Sequence, residues 1–449
     1  MRVAVVGGGI AGLAAAWELR SSATEVTVVE PGILGGCVRT AQLEGIAVDE
    51  GPDAFLTRTP AALQLCEELG IAGELVAPAP GRTLVWSGRR LRALPDGLVL
   101  GVPGRLGPVL RSGLLSPAGV ARAGLDLVTP RTPVGEDVGV GELVTARFGR
   151  EVATRLVEPL LGSIHASRIE GLSAAATAPQ LLAAARRKRS LLRALRRRPG
   201  PGDGPAGGGP LFLAPATGLG RVVERLVAEL TARGVGFEPV AATGLTCRGS
   251  AVEVAGVGSF DAAVLAVPAA TAAGLLGPAA PPGLAGITTT SVDLVTLVWD
   301  AARAALPDGV NGFLVPPGEG RLVTACSFGS HKWPRWSLPG RVVLRVSVGR
   351  HGDRRAAELP DEALVDRVAA ELRQALGARG EPCAARVSRW REVFPRYSVG
   401  HLGLVAGIRA ELHRRAPAVA LAGSGYDGVG VPACIASGRA AAAELLPSS

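Results

Sequence analysis

The residues best suited to chemistry stand at the very start of the chain. Gly7, Gly9 and Gly12 fall at G-x-G-x-x-G spacing between the β-branched run Val3-Ala4-Val5-Val6 and an Ala-rich segment reaching Leu19. In a strand, turn and helix, the first glycine permits the tight turn and the second lets backbone approach a pyrophosphate. The third lets the helix pack closely on the strand. Ile10 and Ala11 open that helix, whose N-terminal amides would face the anion. A second run, Glu25-Val26-Thr27-Val28-Val29, ends in Glu30, eighteen positions after Gly12, where a carboxylate can accept hydrogen bonds from ribose hydroxyls. The set implies a bound dinucleotide. A glycine-rich turn opening any α/β domain would share the glycines and need no acid at that distance.

The residues that follow bear on which dinucleotide. Gly35-Gly36 and Arg39-Thr40 come within ten positions of Glu30, then Asp49-Glu50-Gly51-Pro52-Asp53-Ala54. A nicotinamide enzyme needs little beyond the acid, whereas a second glycine pair and Arg39 can hold the extended pyrophosphate of FAD. Gly51-Pro52 would let backbone lie against a flavin. Taken singly, each is equally an ordinary turn. There is no second complete fingerprint, since Gly218-Leu219-Gly220 has Val223 at the third glycine's place. Without a nicotinamide site, a flavin must take electrons from substrate and pass them to oxygen or another acceptor. This points to an oxidase over a monooxygenase or disulfide reductase, and no C-x-x-C motif contradicts it.

The elements that must position these residues can be traced from composition and periodicity. The chain has 449 residues, 47% hydrophobic but only 4% aromatic, with 62 glycines. It therefore needs two or three domains with cores of Ala, Val and Leu, which suits helices on a parallel sheet. From about Pro60 to Pro199 the apolar spacing is helical, including Val140 to Leu161. That block ends in a basic amphipathic stretch, Arg186 to Arg198, and a Gly/Pro-rich linker, Pro199 to Pro210. A helix over Gly220 to Ala232, a strand over Val235 to Val240 and a hairpin over Ala251 to Val267 follow. Alternating strands fill Ser291 to Gly349, before a helix over Pro360 to Leu376, a strand near Ala385 to Trp390 and a closing strand and helix over Ala418 to Leu446. The expected division is a discontinuous FAD-binding domain (1–85, 205–280 and 390–449), a helical substrate and membrane-associating domain (86–204) and a substrate-binding domain (281–389).

The net charge of +9, carried almost wholly by Arg, is compatible with nucleic acid, an anionic membrane or a polycarboxylate and selects none of them. Six scattered cysteines and five unclustered histidines imply reduced thiols in a cytoplasmic protein, with no metal site. The uncharged residues of Ala262 to Val292 are interrupted by Pro268, Pro278, Pro281 and Pro282, so strand, short helix and loop fit better than a membrane span. Glycine spacing accounts for the N-terminal apolar run better than a signal peptide does.

With these motifs in view, the chain resembles the oxygen-dependent protoporphyrinogen or coproporphyrinogen III oxidases of haem biosynthesis, within the flavin amine-oxidase superfamily. The likeness runs through Gly7 to Gly12 with Glu30, Gly51 to Leu56, Asn311 to Pro316, Ser327 to Pro334, Phe394 to His401 and Gly423 to Arg439. It implies an α/β fold: an FAD-binding Rossmann-like domain of the GR2, or amine-oxidase, type, with an inserted helical domain and a mixed-sheet substrate domain. FAD would be held by Gly7 to Gly12, Glu30, Gly51, Pro52, Asp53 and Ala54. Val240 would lie near its adenine, and Trp390, Ser424, Val429, Gly430 and Val431 near the isoalloxazine. The helix after Pro432 would aim its N-terminus at the flavin pyrimidine, where it stabilises negative charge on reduction. Cys434 is expected as a buried small hydrophobe and not a nucleophile.

The resemblance further implies a six-electron oxidation of porphyrinogen to porphyrin, with oxygen as acceptor and hydrogen peroxide released. The Arg-rich composition resembles that of GC-rich actinobacterial chains, for which family analogy favours the four-carboxylate porphyrinogen. Arg58, Arg89, Arg90 and Arg168 are candidates to pair its carboxylates at a cavity rim, although solvation is the default for each. Where the family has Gly-Ile-Tyr-Ala-Gly-Asp this chain reads Ser163-Ile164-His165-Ala166-Ser167-Arg168. His165 is expected as a satisfied interior histidine, with a place in the pocket lining as the alternative. No general base stands out. Expected partners are the porphyrinogen and oxygen, not nucleic acid; peripheral membrane contact at the inner face, a ferrochelatase-type downstream enzyme, and a monomer or homodimer complete the expectation. Two other classes share this frame. A flavin amine oxidase would enclose its amine with paired aromatics and a pocket lysine, for which only Tyr397, Tyr426 and Lys332 offer themselves. A non-catalytic binding protein would not need the flavin contacts.

Overall fold

The computed structural model describes residues 1–20, 24–196, 209–248 and 251–446. Of the expected linker only residues 209 and 210 are among them, and Arg197 and Arg198 of the basic stretch lie outside the described residues. Five strands form a parallel sheet in the order Gly236–Glu238, Glu25–Val29, Arg2–Val6, Ala262–Leu265 and Val419–Leu421. Val3 to Val6 are buried without alternation, as a strand covered by helices on both faces requires. The helix Ile10–Leu19 is apolar on all sides and buried along almost its whole length. Leu226 and Leu230 of helix Gly220–Ala232, and Ile435 and Ala441 of helix Val431–Leu445, join its core. At the crossing with the closing helix, a Cβ on Gly438 would lie 2.0 Å from the Ala11 carbonyl oxygen, so only glycine lets the two helices approach this closely.

A seven-stranded mixed sheet stands beside this layer, in the order Ala384–Pro395, Thr289–Asp300, Arg341–Val348, Val323–Phe328, Val310–Leu314, Arg82–Ser87 and Arg90–Ala93. Helix Asp361–Leu376 covers one face, packing Leu364, Val368 and Leu372 among Val295, Leu297 and Val346. The expected domain borders differ here. The limit at 85 and 86 falls inside strand Arg82–Ser87, which pairs in parallel with Val310–Leu314, and the limit at 389 and 390 falls inside strand Ala384–Pro395. Strands Arg82–Ser87 and Arg90–Ala93 also lie within the block expected to be helical over Pro60 to Pro199; pairing with Val310–Leu314, far along the chain, overrides the local apolar spacing there.

The helical lobe gathers Leu143, Val144, Leu156, Leu181 and Leu191 in a core of its own. The single helical run expected over Val140 to Leu161 is broken. Helix Val140–Phe148 stops at Gly149 with φ +89, and after a short turn the chain widens into a π-type stretch, Ala153–Gly162, around Pro159. Proline removes one backbone donor inside that stretch, and widened turns of this kind recur at functional sites. No described helix is long and apolar enough to cross a membrane.

One buried ion pair ties the lobe together. Arg147 and Asp126 side chains are both fully buried at 2.6 Å. Arg147 also donates to the Pro130 carbonyl at 2.6 Å, and Asp126 accepts from Ser190 Oγ at 2.7 Å and Leu192 N at 2.9 Å. Removing one partner strands the other charge without water. Arg147→Met should destabilise the lobe by about 3–5 kcal/mol, while adding Asp126→Leu should restore part of the loss; chemical denaturation of the three proteins checks the order.

Candidate functional site

The groove above the parallel sheet is built from glycines with distinct tasks. Gly7 adopts φ +107, and a Cβ there would lie 2.5 Å from the Ala266 carbonyl; at Gly12 it would lie 1.9 Å from the Gly7 carbonyl. These two positions serve packing. At Gly9 a Cβ would meet nothing within 4 Å, so this glycine borders open space. Gly9 also caps helix Ile10–Leu19, with no side-chain cap and no acid in the first turn. The amide ends there remain available to an anion. Glu30 is fixed beside them: Gly8 N donates to Oε2 at 2.8 Å and Gly32 N to Oε1 at 2.9 Å. Each oxygen retains lone-pair capacity for a ribose hydroxyl. Gly35 N donates to the Gly8 carbonyl at 2.7 Å, bringing the second glycine pair against the first. Val240, 38% exposed, follows strand Gly236–Glu238, whose Glu238 carbonyl accepts from Glu30 N at 3.0 Å. The residues present fit an adenine dinucleotide: uncapped amides, free space over Gly9 and a fixed carboxylate.

At the far end of the groove, the segment from Asp49 to Ala54 is clamped from both sides. A Cβ on Gly51 would lie 1.8 Å from the Cys37 carbonyl, so packing demands this glycine independently of any ligand. Glu50 accepts from Arg386 Nε at 2.8 Å, its backbone carbonyl accepts from Trp390 Nε1 at 2.7 Å, and Arg39 lies over the Trp390 ring at 4.8 Å. Asp49 Oδ2 accepts from Arg335 Nη2 at 2.6 Å. Asp53 Oδ2 accepts from Lys332 Nζ at 2.7 Å and Trp333 Nε1 at 3.0 Å, with Arg345 at 3.8 Å from Oδ1. Burial opposes ionisation of Asp53, yet these cations and donors outweigh it and hold its carboxyl well below the usual range. The Asp53 carboxylate is thus committed to the sheet, and its backbone carbonyl accepts from Arg335 Nη2 at 3.2 Å.

The C-terminal loop is held against this end by its own network. Tyr397 donates its hydroxyl to the Ser424 carbonyl and stacks on His401 at 4.2 Å between ring centroids. Arg409 pairs Asp427 at 2.7 and 2.6 Å, and Asp427 accepts from Ser437 Oγ at 2.9 Å. Gly430, at φ +106, turns the chain into helix Val431–Leu445, which has no side-chain cap. Val429, Gly430 and Val431 therefore stand at a second uncapped helix start. Burial, then Cys37 and Asp427, push the Cys434 thiol up to about 12, so it carries no thiolate at neutral pH.

Beside Lys332 and Arg345 lies a cavity of about 490 Å³, floored by the sheet and bordered by Pro78, Pro80, Phe212 and Leu314. Sequence reasoning missed Arg345, although its signal was present: in Arg341-Val-Val-Leu-Arg-Val-Ser-Val the polar positions alternate with the buried ones. Lys332 is legible in the sequence only as a candidate pocket lysine for an amine oxidase, not as the partner of Asp53. The expected substrate contacts do not converge: Arg89 and Arg90 are exposed and line neither described cavity. Arg58 is exposed and lines neither described cavity, and Arg168 lines a different one. His165 is buried as expected but is not satisfied, because its Nδ1 has no hydrogen-bond partner. Burial pulls its ring down to about 4, so it is neutral at physiological pH, and its ring lies 6.4 Å from that of Tyr397. Glu158, 3% exposed with an unpartnered Oε1, went unnoticed because an acid inside a helical run has no sequence mark. Burial and then Glu170 push it up to about 7 against the pull of Arg168.

A nucleotide groove over a parallel sheet, closed by the chain's C-terminal helix and adjoining a sheet-floored cavity, defines a flavin-dependent oxidoreductase. The chain belongs to the family described as flavin containing amine oxidoreductase, whose pattern matches residues 10–446. It is 33% identical to the coproporphyrinogen III oxidase of Bacillus subtilis (strain 168), covering 99% of this chain and 97% of that one. To the protoporphyrinogen oxidase of Bos taurus it is 30% identical, covering 99% and 98%. A crystal structure from Exiguobacterium sp. 255-15 superposes with a TM-score of 0.90 at 30% identity, over 99% of this chain and 98% of that one. Putrescine oxidase, at 17% identity and a TM-score of 0.68, shares the fold.

Two predictions follow from this geometry. Gly9→Ala should fold with the wild-type apo Tm, since its Cβ meets no protein atom, yet lose at least about 10-fold in flavin affinity; the ratio of visible to ultraviolet absorbance after flavin titration checks it. For Glu158 the folded pKa lies above the unfolded one, so the stability due to its protonated form is complete below about pH 4.5 and lost as pH rises through 7. Glu158→Gln should therefore stabilise the protein by about 1–3 kcal/mol at pH 8 and make little difference at pH 4. Denaturant unfolding at the two pH values measures it.

Proposed function

We propose that this chain is an FAD-dependent, oxygen-using oxidase that converts coproporphyrinogen III to coproporphyrin III in haem biosynthesis, and that also accepts protoporphyrinogen IX more slowly. The observation that carries the proposal is the cavity of about 490 Å³ against the Gly51–Asp53 end of the groove, with apolar walls and the cationic heads of Lys332 and Arg345. A porphyrinogen is an apolar macrocycle edged with propionates, and that combination of walls and charges is what would bind one. The names borne by the Bacillus subtilis and Bos taurus relatives support the same substrate class.

In this proposal Gly9 to Ala11 would hold the phosphates of FAD, Glu30 its ribose, and Pro52, Trp390 and Val429 to Val431 its ring. Bound flavin supplies the two-electron acceptor, which oxygen regenerates with release of hydrogen peroxide; three rounds account for six electrons. The chain's own residues position and enclose. Arg345 orients a propionate, the Lys332–Asp53 pair holds the groove segment to the sheet, and the uncapped start of helix Val431–Leu445 offers amide dipoles where negative charge develops. His165, neutral and buried, and Glu158 lie off this path and take no proton role in it. The proposed setting is cytoplasmic, with a peripheral membrane contact through Leu110, Leu125 and Val128, all about half exposed on the helical lobe.

Peroxide release by the purified holoenzyme, with coproporphyrinogen III, protoporphyrinogen IX and putrescine compared side by side, tests the substrate class. The four-carboxylate porphyrinogen should be fastest; oxidation of the amine with neither porphyrinogen turned over would overturn the proposal. Arg345→Leu should lower kcat/KM for coproporphyrinogen III by about 10–100-fold, as loss of one charge-assisted contact does, chiefly through KM.

A further inference from the structure

A second cavity, of about 440 Å³, opens where the helical lobe meets the sheet. Arg168 lines it from the lobe, and Arg321, Arg350, Arg354 and Arg355 from the loops flanking the sheet strands. It shares no lining residue with the cavity beside Asp53. The backbone joins the two walls here, His351 N donating to the Ala166 carbonyl at 2.8 Å. The His351 ring is itself engaged, by Thr290 Oγ1 at 3.3 Å and by Arg396 Nη1 at 3.2 Å.

Three of the five guanidinium groups already have partners. Arg355 holds Asp353 through Nε and Nη2 at 2.9 and 2.7 Å. Arg321 donates to Gln374 Oε1 at 3.1 Å and lies over Trp86 at 4.2 Å. Arg354 is 4.0 Å from Glu358. Among the described residues, the guanidinium groups of Arg168 and Arg350 have no ion pair and no hydrogen bond. Burial first draws Arg350 below its ordinary value, with Arg168 and Arg355 adding to it against Asp353 and Glu158. Glu158 cannot balance both cations, because at about 7 it is half protonated near neutral pH. Asp353 and Glu358, the acids that line the cleft, are committed to Arg355 and Arg354; the two unpaired guanidinium groups that share it repel each other, and guanidinium recognises carboxylates bidentately. The cleft wall is polar, so it suits the charged groups of a ligand and not an apolar macrocycle.

We propose that this cleft is an oligocarboxylate site, in which Arg168 and Arg350 each grip one carboxylate of a single ligand and so bridge the helical lobe to the sheet. The ligand is either a free di- or tricarboxylate or the propionate edge of a tetrapyrrole. The inference does not depend on the proposed substrate, since binding is read without turnover.

Citrate serves as the probe, titrated into the holoenzyme by calorimetry and by thermal melting at constant ionic strength set with sodium chloride. The expected result is saturable binding at one equivalent with a raised Tm, weakened at least 10-fold in both Arg168→Gln and Arg350→Gln and unchanged in Arg414→Gln, an exposed position of helix His401–Arg415 that does not line the cleft. Arg168 is exposed, so its variant reports even where Arg350→Gln folds poorly. Coproporphyrin III that displaces citrate one for one identifies the tetrapyrrole as a source of the carboxylates; citrate binding without competition assigns the site to free oligocarboxylates. Equal stabilisation by chloride or inorganic phosphate, or citrate binding untouched in Arg168→Gln, would overturn the assignment.

Discussion

The close crossing of the first and last helices is the constraint on which the site depends. Gly438 sits against the Ala11 carbonyl so tightly that no side chain could stand there, and this contact brings Gly423 to Val431 over a groove whose glycines come from the first dozen residues. The strand before the closing helix, Val419–Leu421, completes the same sheet beside Ala262–Leu265. Dense packing of Ala and Gly faces lets two segments at opposite ends of a chain act as one rigid cradle.

The sheet domain is fastened to that cradle by charge. Asp49, Glu50 and Asp53 lie in one short segment and meet Arg335, Arg386 and Lys332 respectively. Each partner belongs to the seven-stranded sheet or its connecting turns, so the groove segment and cavity floor are held at fixed separation. Lys332 and Arg345, which line the cavity, reach the groove segment through the Asp53 carboxylate. Two tryptophans add donors to the same segment, Trp390 to the Glu50 carbonyl and Trp333 to Asp53.

The helical lobe follows different rules. Its core closes around a dry ion pair, Arg147 with Asp126, and its π-type stretch carries Glu158 and leads into the atypical His165 to Arg168 segment. In this chain that segment does not place three polar groups in one pocket. It buries His165, and it turns Arg168 into a separate cleft shared with Arg350.

The glycine spacing, Glu30 and the apolar runs around them were legible because each rests on local backbone geometry: a turn, a helix start, a continuous buried strand. The helices Gly220–Ala232 and Asp361–Leu376 were legible for the same reason, through periodicity. The assignment of Arg82–Ser87 to the large sheet was not, and neither were the roles of Arg345, Lys332 and Glu158, since each is set by a partner far away in the chain. Asp53 shows the division within one residue. Its place after Gly51-Pro52 could be read from sequence, but its commitment to Lys332 and Trp333 could not. Sequence alone determined the nucleotide turn, the helices Gly220–Ala232 and Asp361–Leu376 and the class of chemistry, because those follow from nearest-neighbour sterics, hydrophobic period and motif. Tertiary structure decided which charges are paired, which polar groups are stranded and which arginines remain free, because burial and long-range contact fix the energy of a charge.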